Sequence, residues 1–451
     1  MGTLGRWNVV RVLNSLLPTS FSLLPDSHRT RNEAHMQLYN AISKSLEPLD
    51  VRDRPVTIYV CGITPYDTTH LGHAFTYTVN DILIRYLEYR GHPVDYVQNV
   101  TDIDDDILKR AKEVGEDWKA LGDRWTRYFI EDMIALNVRP PDHYPRATEV
   151  IPEIIQTVEK LIARGVAYEE NGSVYYHVDA WPEFGALACM SRDQMLSTAN
   201  ERGNNPDDPN KRDPLDFVLW QAAAPGEPTW DSPWGPGRPG WHIECSTMSS
   251  KYLGDTIDIH SGGSDLLFPH HCCEIAQIEP LTGKPFVRFW LHVAMVRHEG
   301  EKMSKSLGNL VMARDLLKLY PPDALRLYLA MHHYRIEWAC DPGRLRWAAR
   351  LAQRFREAAT ASGGSGPAFD PSPWEQEFTA AMDEDLNTPA ALGVVDELAV
   401  QVLLAAQQGR HIREAQTLLR KLCKVFGLVL DVGEPEDRVV KGWRKHLAKF
   451  V

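Results

Sequence analysis

The sequence has no run of about 18 consecutive apolar residues, so no segment reads as a membrane span. It has no Cys-x-x-Cys pair, so spacing alone declares neither a zinc ribbon nor a redox motif. Its seven cysteines, Cys61, Cys189, Cys245, Cys272, Cys273, Cys340 and Cys423, are odd in number and scattered. That excludes a secreted disulfide framework and fits reduced thiols in a cytoplasmic enzyme, some of them free to bind metal. No internal repeat and no heptad run is found, which excludes a solenoid and a coiled coil. Positive charge is in short supply. Lys and Arg number 49 against 61 Asp and Glu, a net charge of −12. A nucleic-acid partner must therefore meet a local basic patch, because the surface as a whole is not positive. The start MGTLGR lacks the Ser or Thr at position six that N-myristoylation needs.

A chain of 451 residues is too long for one core and implies two or three modules. The first 35 residues carry Arg6, Arg11, Arg29 and Arg31 against only Asp26 and Glu33, with several Ser and Leu. That bias fits an organelle transit peptide; the plainer reading, and the one preferred, is a disordered leader or a start called too early, with Met36 the working start. VTIYVCGIT predicts a buried strand from Val56 to Val60 that enters a glycine turn. HAFTYTVNDILIRYLEYRG has helical spacing and stops at Gly91, and PVDYVQNV predicts a second strand. Strand, loop, helix, strand opens a parallel α/β sheet, whose ligands bind beyond the strand C-termini. Residues 118–136 and 147–165 read as amphipathic helices and GSVYYHV as a short strand. The stretch 185–216 is rich in Asn, Asp, Pro and Gly and reads as an inserted irregular segment. The sheet is expected to resume near Phe217, with strands at DTIDIH and FVRFWLHVAMV. Beyond Pro322 the chain turns helical, Ala361 to Pro373 reads as a flexible linker, and 374–430 holds two or three more helices.

Three groups of residues carry chemistry. Cys61 follows the first strand, Cys245 lies in PGWHIECSTM, and His270 and Glu274 lie in FPHHCCEIAQ, four apart and so on one helix face. Two thiols, an imidazole and a carboxylate suit tetrahedral zinc, and also suit buried structural cysteines with a satisfied core histidine. Cys272 and Cys273 stand beside the proposed ligands and could substitute for them. His70-Leu71-Gly72-His73 opens a helix, as an anion cradle or as helix-capping histidines. GEKMSKSLGN, residues 300–309, places Lys302 and Lys305 in a Gly-bounded loop. It reads as a pair of mobile lysines that meet phosphates in the transition state, or as a solvated charged loop.

Taken together these motifs resemble a known family. HLGH resembles the HIGH signature and KMSKS is the second signature of class I aminoacyl-tRNA synthetases. CGITPYD, NVTDIDDDI, KRDPLDFVLW, WDSPWGPGRPGWHIECS, DIHSGGSDLLFPHH and MSKSLGN are similar to the cysteine-activating branch over about Met36 to residue 430. That branch holds the cysteinyl-tRNA synthetases and the ligase that joins cysteine to a glucosaminyl-inositol in mycothiol synthesis. The resemblance implies an α/β class I synthetase fold: a Rossmann-type parallel sheet with an inserted segment and a C-terminal α-helical domain. It implies one Zn2+ per chain on Cys61, Cys245, His270 and Glu274, and ATP phosphates at His70 and His73. It also implies a cysteinyl-adenylate pocket of Gly62, Thr64, Thr76, Asn99, Thr101, Trp241, His260, Gly263 and Asp265. Lys302 and Lys305 would steady pyrophosphate, with Mg2+ on the phosphates. The partners implied are L-cysteine, ATP and an acceptor, in a cytoplasmic monomer.

The domains expected are a leader over 1–35, a first catalytic half over 36–145, and a largely helical insertion over 146–215. A second half with the zinc site follows over 216–300, then the KMSKS loop and a stem-contact-like region over 301–345, then a helical domain over 346–451. The acceptor divides the motifs. ERGNNP, EDWKALGDR and EDMIALNVRPPDHY are similar to the aminosugar ligase, and no Gly-Thr-x-Trp pattern of the synthetases' small C-terminal module follows MDEDLNTPAAL. Glu274, His260 and DFVLWQAA are similar to the tRNA enzyme. The expectation adopted is tRNA-Cys, with the aminosugar ligase as alternative and an inactive synthetase-like binding protein third. RVVKGWRKHLAKF supplies a modest basic tail.

Overall fold

A short antiparallel hairpin, β1 (Gln37–Asn40) and β2 (Ser45–Pro48), leads into four parallel strands. These are β3 (Val56–Ile63), β4 (Val94–Val100), β9 (Ile257–Gly263) and β10 (Val287–Val293), in the spatial order β10-β9-β3-β4. The computed structural model describes residues 36–451 except 52, 53, 68, 299, 304–307, 431–434 and 451, and not the side chain of Lys302. The leader over 1–35, the Lys305 assignment and the side-chain role of Lys302 lie outside the described residues.

Side chains alternate across a strand, and here the alternation sorts the core into two layers. Val56, Ile58 and Val60 of β3 enter one apolar cluster, and Tyr59 and Cys61 enter the other. The first cluster takes in α1 (Leu71–Tyr89) and the C-terminal helices. The second takes in α4 (Ile151–Ala163), α6 (Trp241–Leu253) and α7 (Cys272–Thr282). Cys61 thus falls on the face where α6 brings Cys245 and α7 brings Glu274. The chain runs from β3 through α1 to β4 on one side, then returns to β9 on the other. The strand order reverses between β3 and β9, and ligands of open parallel sheets bind at that crevice.

Between the halves, α2 (Asp105–Val114) and α3 (Trp118–Ala135) precede α4, and α5 (Arg192–Asn200) follows a hairpin. The insertion differs from the expectation of a largely helical segment ending near 215. Strands β5 (Ala167–Glu170), β6 (Ser173–Tyr176), β7 (Phe217–Ala222) and β8 (Gly237–Pro239) form an antiparallel sheet in that order. Phe217 therefore does not resume the parallel sheet. It pairs with Tyr176 and stacks on its ring, with centroids 4.8 Å apart. An alternating strand carries no mark of which sheet it will join, and long-range pairing decided it.

Beyond the site lie α8 (Ala313–Leu319), α9 (Pro322–Ala330), α10 (Pro342–Thr360), α11 (Ser372–Asp383), α12 (Thr388–Gln407), α13 (Arg413–Val425) and α14 (Asp437–Leu447). Residues 361–373 are not the free linker expected. Gly366–Ala368 pairs with Arg410–His411, and a Cβ on Gly364 would lie 2.1 Å from the Gly409 carbonyl oxygen. The glycines allow two backbones to touch. By length and composition, one helix among the described residues, α12, could cross a membrane. Here it packs against α10, α11 and α13, with Leu392, Val395, Leu398 and Val402 buried.

Candidate active site

The four expected ligands converge. One donor atom from each of Cys61, Cys245, His270 and Glu274 falls in a set whose members all lie within 4.8 Å of one another, and all four residues are buried. His270 Nε2 lies 3.2 Å from Glu274 Oε1, and Cys61 Sγ lies 3.9 Å from the same oxygen. Tetrahedral zinc with these donors places neighbouring ligand atoms about 3.3–3.8 Å apart. Burial, with Cys245 beside it, pushes the Cys61 thiol well above its usual range, and burial does the same to the Glu274 carboxyl. A divalent cation reverses that order, because it holds thiolate and carboxylate ionised. The donor set fits zinc.

A second donor set overlaps the first. Cys61 and Glu274 also converge with His260 and His271. His260 donates or accepts at Glu274 Oε2 at 3.0 Å, and His271 Nδ1 is 2.8 Å from His292 Nε2. His242 Nδ1 stands 2.9 Å from His270 Nδ1, so it holds the far side of a proposed ligand. Burial keeps these imidazoles neutral, bringing His242, His260 and His292 down to about 3. Sequence reasoning misses His242, His271 and His292. Their only signals are the second histidine of FPHH and the lone histidines of WHIECS and WLHV. Cys272 and Cys273 join neither set. Cys272 Sγ turns to the Leu267 carbonyl at 3.3 Å, and Cys273 faces the cavity wall.

A cavity of about 860 Å³ opens above this layer, between the ends of β3 and β9 and the insertion. Gly62, Thr64, Thr76, Trp241, Gly263 and Asp265 line it, as do Cys61, His70 and His73. Three expected pocket residues stand behind the wall. His260 follows Ile259, which faces the other layer, so alternation turns His260 into the metal layer. Asn99 and Thr101 support the wall from β4. Asn99 Oδ1 accepts the Gly62 amide at 2.7 Å, and its amide nitrogen donates to Thr101 Oγ1 at 3.1 Å.

His70 is the N-cap of α1. Its Nδ1 accepts from the amides of Gly72 at 3.1 Å and His73 at 3.3 Å. The capping alternative therefore holds for one ring nitrogen, and these two amides are used locally. The rings of His70 and His73 stack with centroids 3.7 Å apart and present an imidazole pair to the cavity. Leu71 donates to the Val311 carbonyl and Ala313 to the Thr69 carbonyl. The histidine motif is thereby bound to the segment that follows the lysine loop.

Residues 48–345 match the family model described as tRNA synthetases class I (C) catalytic domain, and residues 377–431 match a DALR domain. The cysteine–tRNA ligase of Dehalococcoides mccartyi is 44% identical over 408 residues, 89% of this chain and 88% of the relative. That of Alkalilimnicola ehrlichii is 45% identical over 412 residues, 90% of this chain and 88% of the relative. That of Thermococcus onnurineus is 44% identical over 421 residues, with 88% and 87% covered. A Mycobacterium tuberculosis methionyl-tRNA synthetase, solved with methionyl-adenylate, is 15% identical. It superposes with a TM-score of 0.60 over 86% of this chain and 93% of its own, a likeness of fold alone.

Proposed function

The chain belongs to the class I cysteine–tRNA ligases, an ATP-dependent ligase family, and on that premise we propose how its cavity divides the two steps of charging tRNA-Cys. In the first step the carboxylate of L-cysteine attacks the α-phosphate of ATP. The bond to pyrophosphate breaks, and cysteinyl adenylate forms. In the second, a terminal ribose hydroxyl of the tRNA attacks the cysteinyl carbonyl, and AMP leaves.

Cys61, Cys245, His270 and Glu274 hold one Zn2+. When bound, that ion supplies a soft partner for the substrate thiolate, for which a serine hydroxyl is a far poorer match. A pocket of apolar contacts discriminates such analogues weakly. The protein's own part is to fix the geometry. Asn99 clamps the Gly62 amide, Tyr77 donates its hydroxyl to the Cys61 carbonyl at 3.2 Å, and His242 steadies His270. Trp241 lies over the His270 ring, centroids 4.5 Å apart, and closes the metal layer from the cavity side. His70 and His73 face the phosphates. Lys302 and Lys305 steady the leaving pyrophosphate, with Mg2+ on the phosphates. Gly263 and Asp265 on β9 and its following turn receive the nucleotide.

The observation that carries this reading is the buried thiol, imidazole and carboxylate set that reaches, through Cys61, the same cavity as the stacked histidines. The three sequence relatives are all named cysteine–tRNA ligases, which supports tRNA over the aminosugar. A cytoplasmic monomer is part of the proposal. The deciding experiment gives zinc-loaded protein ATP and labelled cysteine with either tRNA-Cys or glucosaminyl-inositol. Label on tRNA supports the reading. Label on the aminosugar replaces it, and no ATP–pyrophosphate exchange at all would make the chain a binding protein.

A further inference from the structure

The turn between α11 and α12 is strained. Asp385 and Leu386 sit at φ of +56° and +52°, two successive non-glycine residues in the left-handed region. A turn that only reverses the chain would take glycine or asparagine there. Here the side chains are used instead. Leu386 is wholly buried in the first apolar cluster, and Asn387 caps α12 by accepting the Ala390 amide at 3.2 Å. The Asp385 carboxylate, in a residue 3% exposed, reaches across the fold. Its Oδ1 accepts from the Tyr39 amide at 2.8 Å and the Tyr334 hydroxyl at 2.6 Å, and its Oδ2 accepts from Arg335 Nε at 2.6 Å. Arg335 in turn lies over the Tyr39 ring, 4.3 Å from its centroid, and His333 Nε2 stands 3.6 Å from the same Oδ2.

The segment so held borders the cavity. The Tyr334 carbonyl accepts the Ala294 amide at 2.7 Å, and Ala294 lines the cavity just beyond β10. Val296 then pairs with Trp338 and Arg297 with Ala339, and the Cys340 amide donates to the Arg297 carbonyl at 2.8 Å. Arg297 also pairs with Lys302, where the chain enters the lysine loop. Residues 334–340 are thus the rail along which 294–298 runs from the sheet to that loop. The proposed metal ligands lie elsewhere, on β3, on α6, and on α7 with the turn before it. Left-handed strain persists only where surrounding contacts over-determine it, and it gathers at positions whose geometry a site needs.

We propose that Asp385 is a positioning residue for the ATP side of the cavity. It does not line the cavity itself. Its carboxylate fixes Tyr334 and Arg335, the Tyr334 carbonyl fixes Ala294, and the lysine loop leaves the sheet in the register that meets the nucleotide phosphates. The helical domain thereby sets the nucleotide wall from behind. The inference rests on ATP occupying this cavity, as proposed above.

The test is ATP–pyrophosphate exchange on the zinc-loaded full chain, with KM for ATP and KM for cysteine read separately, in the wild type, Asp385→Gly, Asp385→Asn and Tyr334→Phe. Glycine accepts the left-handed backbone, so Asp385→Gly removes the carboxylate without adding strain. It is expected to raise the KM for ATP about tenfold, the loss of one hydrogen-bonded contact, and to leave the KM for cysteine and the zinc per chain unchanged. Asp385→Asn keeps an acceptor for Tyr39 and Tyr334, tolerates the same backbone, and should recover most of that rise. Tyr334→Phe should raise the KM for ATP by itself and add nothing in the Asp385→Gly chain. A wild-type KM for ATP in Asp385→Gly, an equal rise in both KM values, an Asn variant no better than glycine, or additive effects of the two sites would each overturn the assignment. A wild type that exchanges no pyrophosphate would remove the parent reading and the inference with it, an outcome separate from all of these.

Discussion

Glu274 Oε1 stands 3.2 Å from His270 Nε2, both side chains fully buried and four residues apart. A carboxyl and an imidazole this deep, with two thiols beside them, form a costly cluster unless a cation unites them. Cys245→Ala is therefore expected to lose bound zinc and cysteine activation together. Metal content per chain and ATP–pyrophosphate exchange with cysteine check this. A variant that keeps both refutes the ligand set. Glu274→Gln keeps the size and removes the charge, and should bind zinc more weakly than the wild type.

The close approach of β3 and β4 makes Gly62 irreplaceable. A Cβ there would lie 1.6 Å from the Asn99 carbonyl oxygen, so Gly62→Ala must push the two strand ends apart. Overpacking of this kind costs about 1–3 kcal/mol or more. Asn99→Ala leaves the partly buried Gly62 amide without its acceptor, a loss of about 1 kcal/mol. Denaturant midpoints measure both. Wild-type stability and KM for cysteine in either variant would show that this contact does not shape the wall.

His70 offers a way to separate capping from catalysis. Asn retains an acceptor at the N-cap and Ala does not, so His70→Ala should lose about 1 kcal/mol more stability than His70→Asn. Both should lower the adenylation rate, since both remove the ring that stacks on His73. Full adenylation by His70→Asn would reduce this histidine to a cap.

Arg326 ties the catalytic half to the helices. It is fully buried, pairs with Asp81 of α1, and donates to the Phe426 carbonyl at 2.5 Å and the Leu136 carbonyl at 2.7 Å. Arg326→Met removes one of the two guanidiniums that hold Asp81, the other being Arg85 at 2.9 Å, and leaves two carbonyls without their donor, a loss expected at about 3 kcal/mol. Asp81→Asn should cost less in the Arg326→Met chain than in the wild type, because that chain has already lost one of the two guanidiniums on this carboxylate. Additive losses in the double variant would mean that the two groups do not act as a pair.

Acid sensitivity has one assignable source at the C-terminal helix. Partial burial works to raise the Glu436 carboxyl, but the Arg85 and Arg438 guanidiniums outweigh it and bring it down to about 2. An unfolded Glu titrates near about 4.3. Between those values the unfolded chain binds more protons, so stability rises with pH. The contribution is complete above roughly pH 5 and is lost as pH falls toward about 2. Glu436→Gln should flatten the stability profile in that window and leave its shape at pH 6 to 8 alone. Denaturation midpoints read across pH 2 to 6 decide it, and an unaltered acid slope would place the sensitivity elsewhere.

The α/β opening, the helix that starts at His70, the helices after 374 and the four donors that converge at the metal layer are all legible in local period, capping residues and motif. Local sequence determines which residues alternate, where a helix can begin, and which side chains can bind zinc. Only the tertiary structure assigned Phe217 to the antiparallel sheet, turned His260 behind Glu274, and placed His271 rather than Cys272 beside the shared donors. The reason is physical. A strand's partner, the face a helix turns to its neighbour, and the counter-charge a buried cation receives are set by segments tens to hundreds of residues away, and none of that is written in the local pattern.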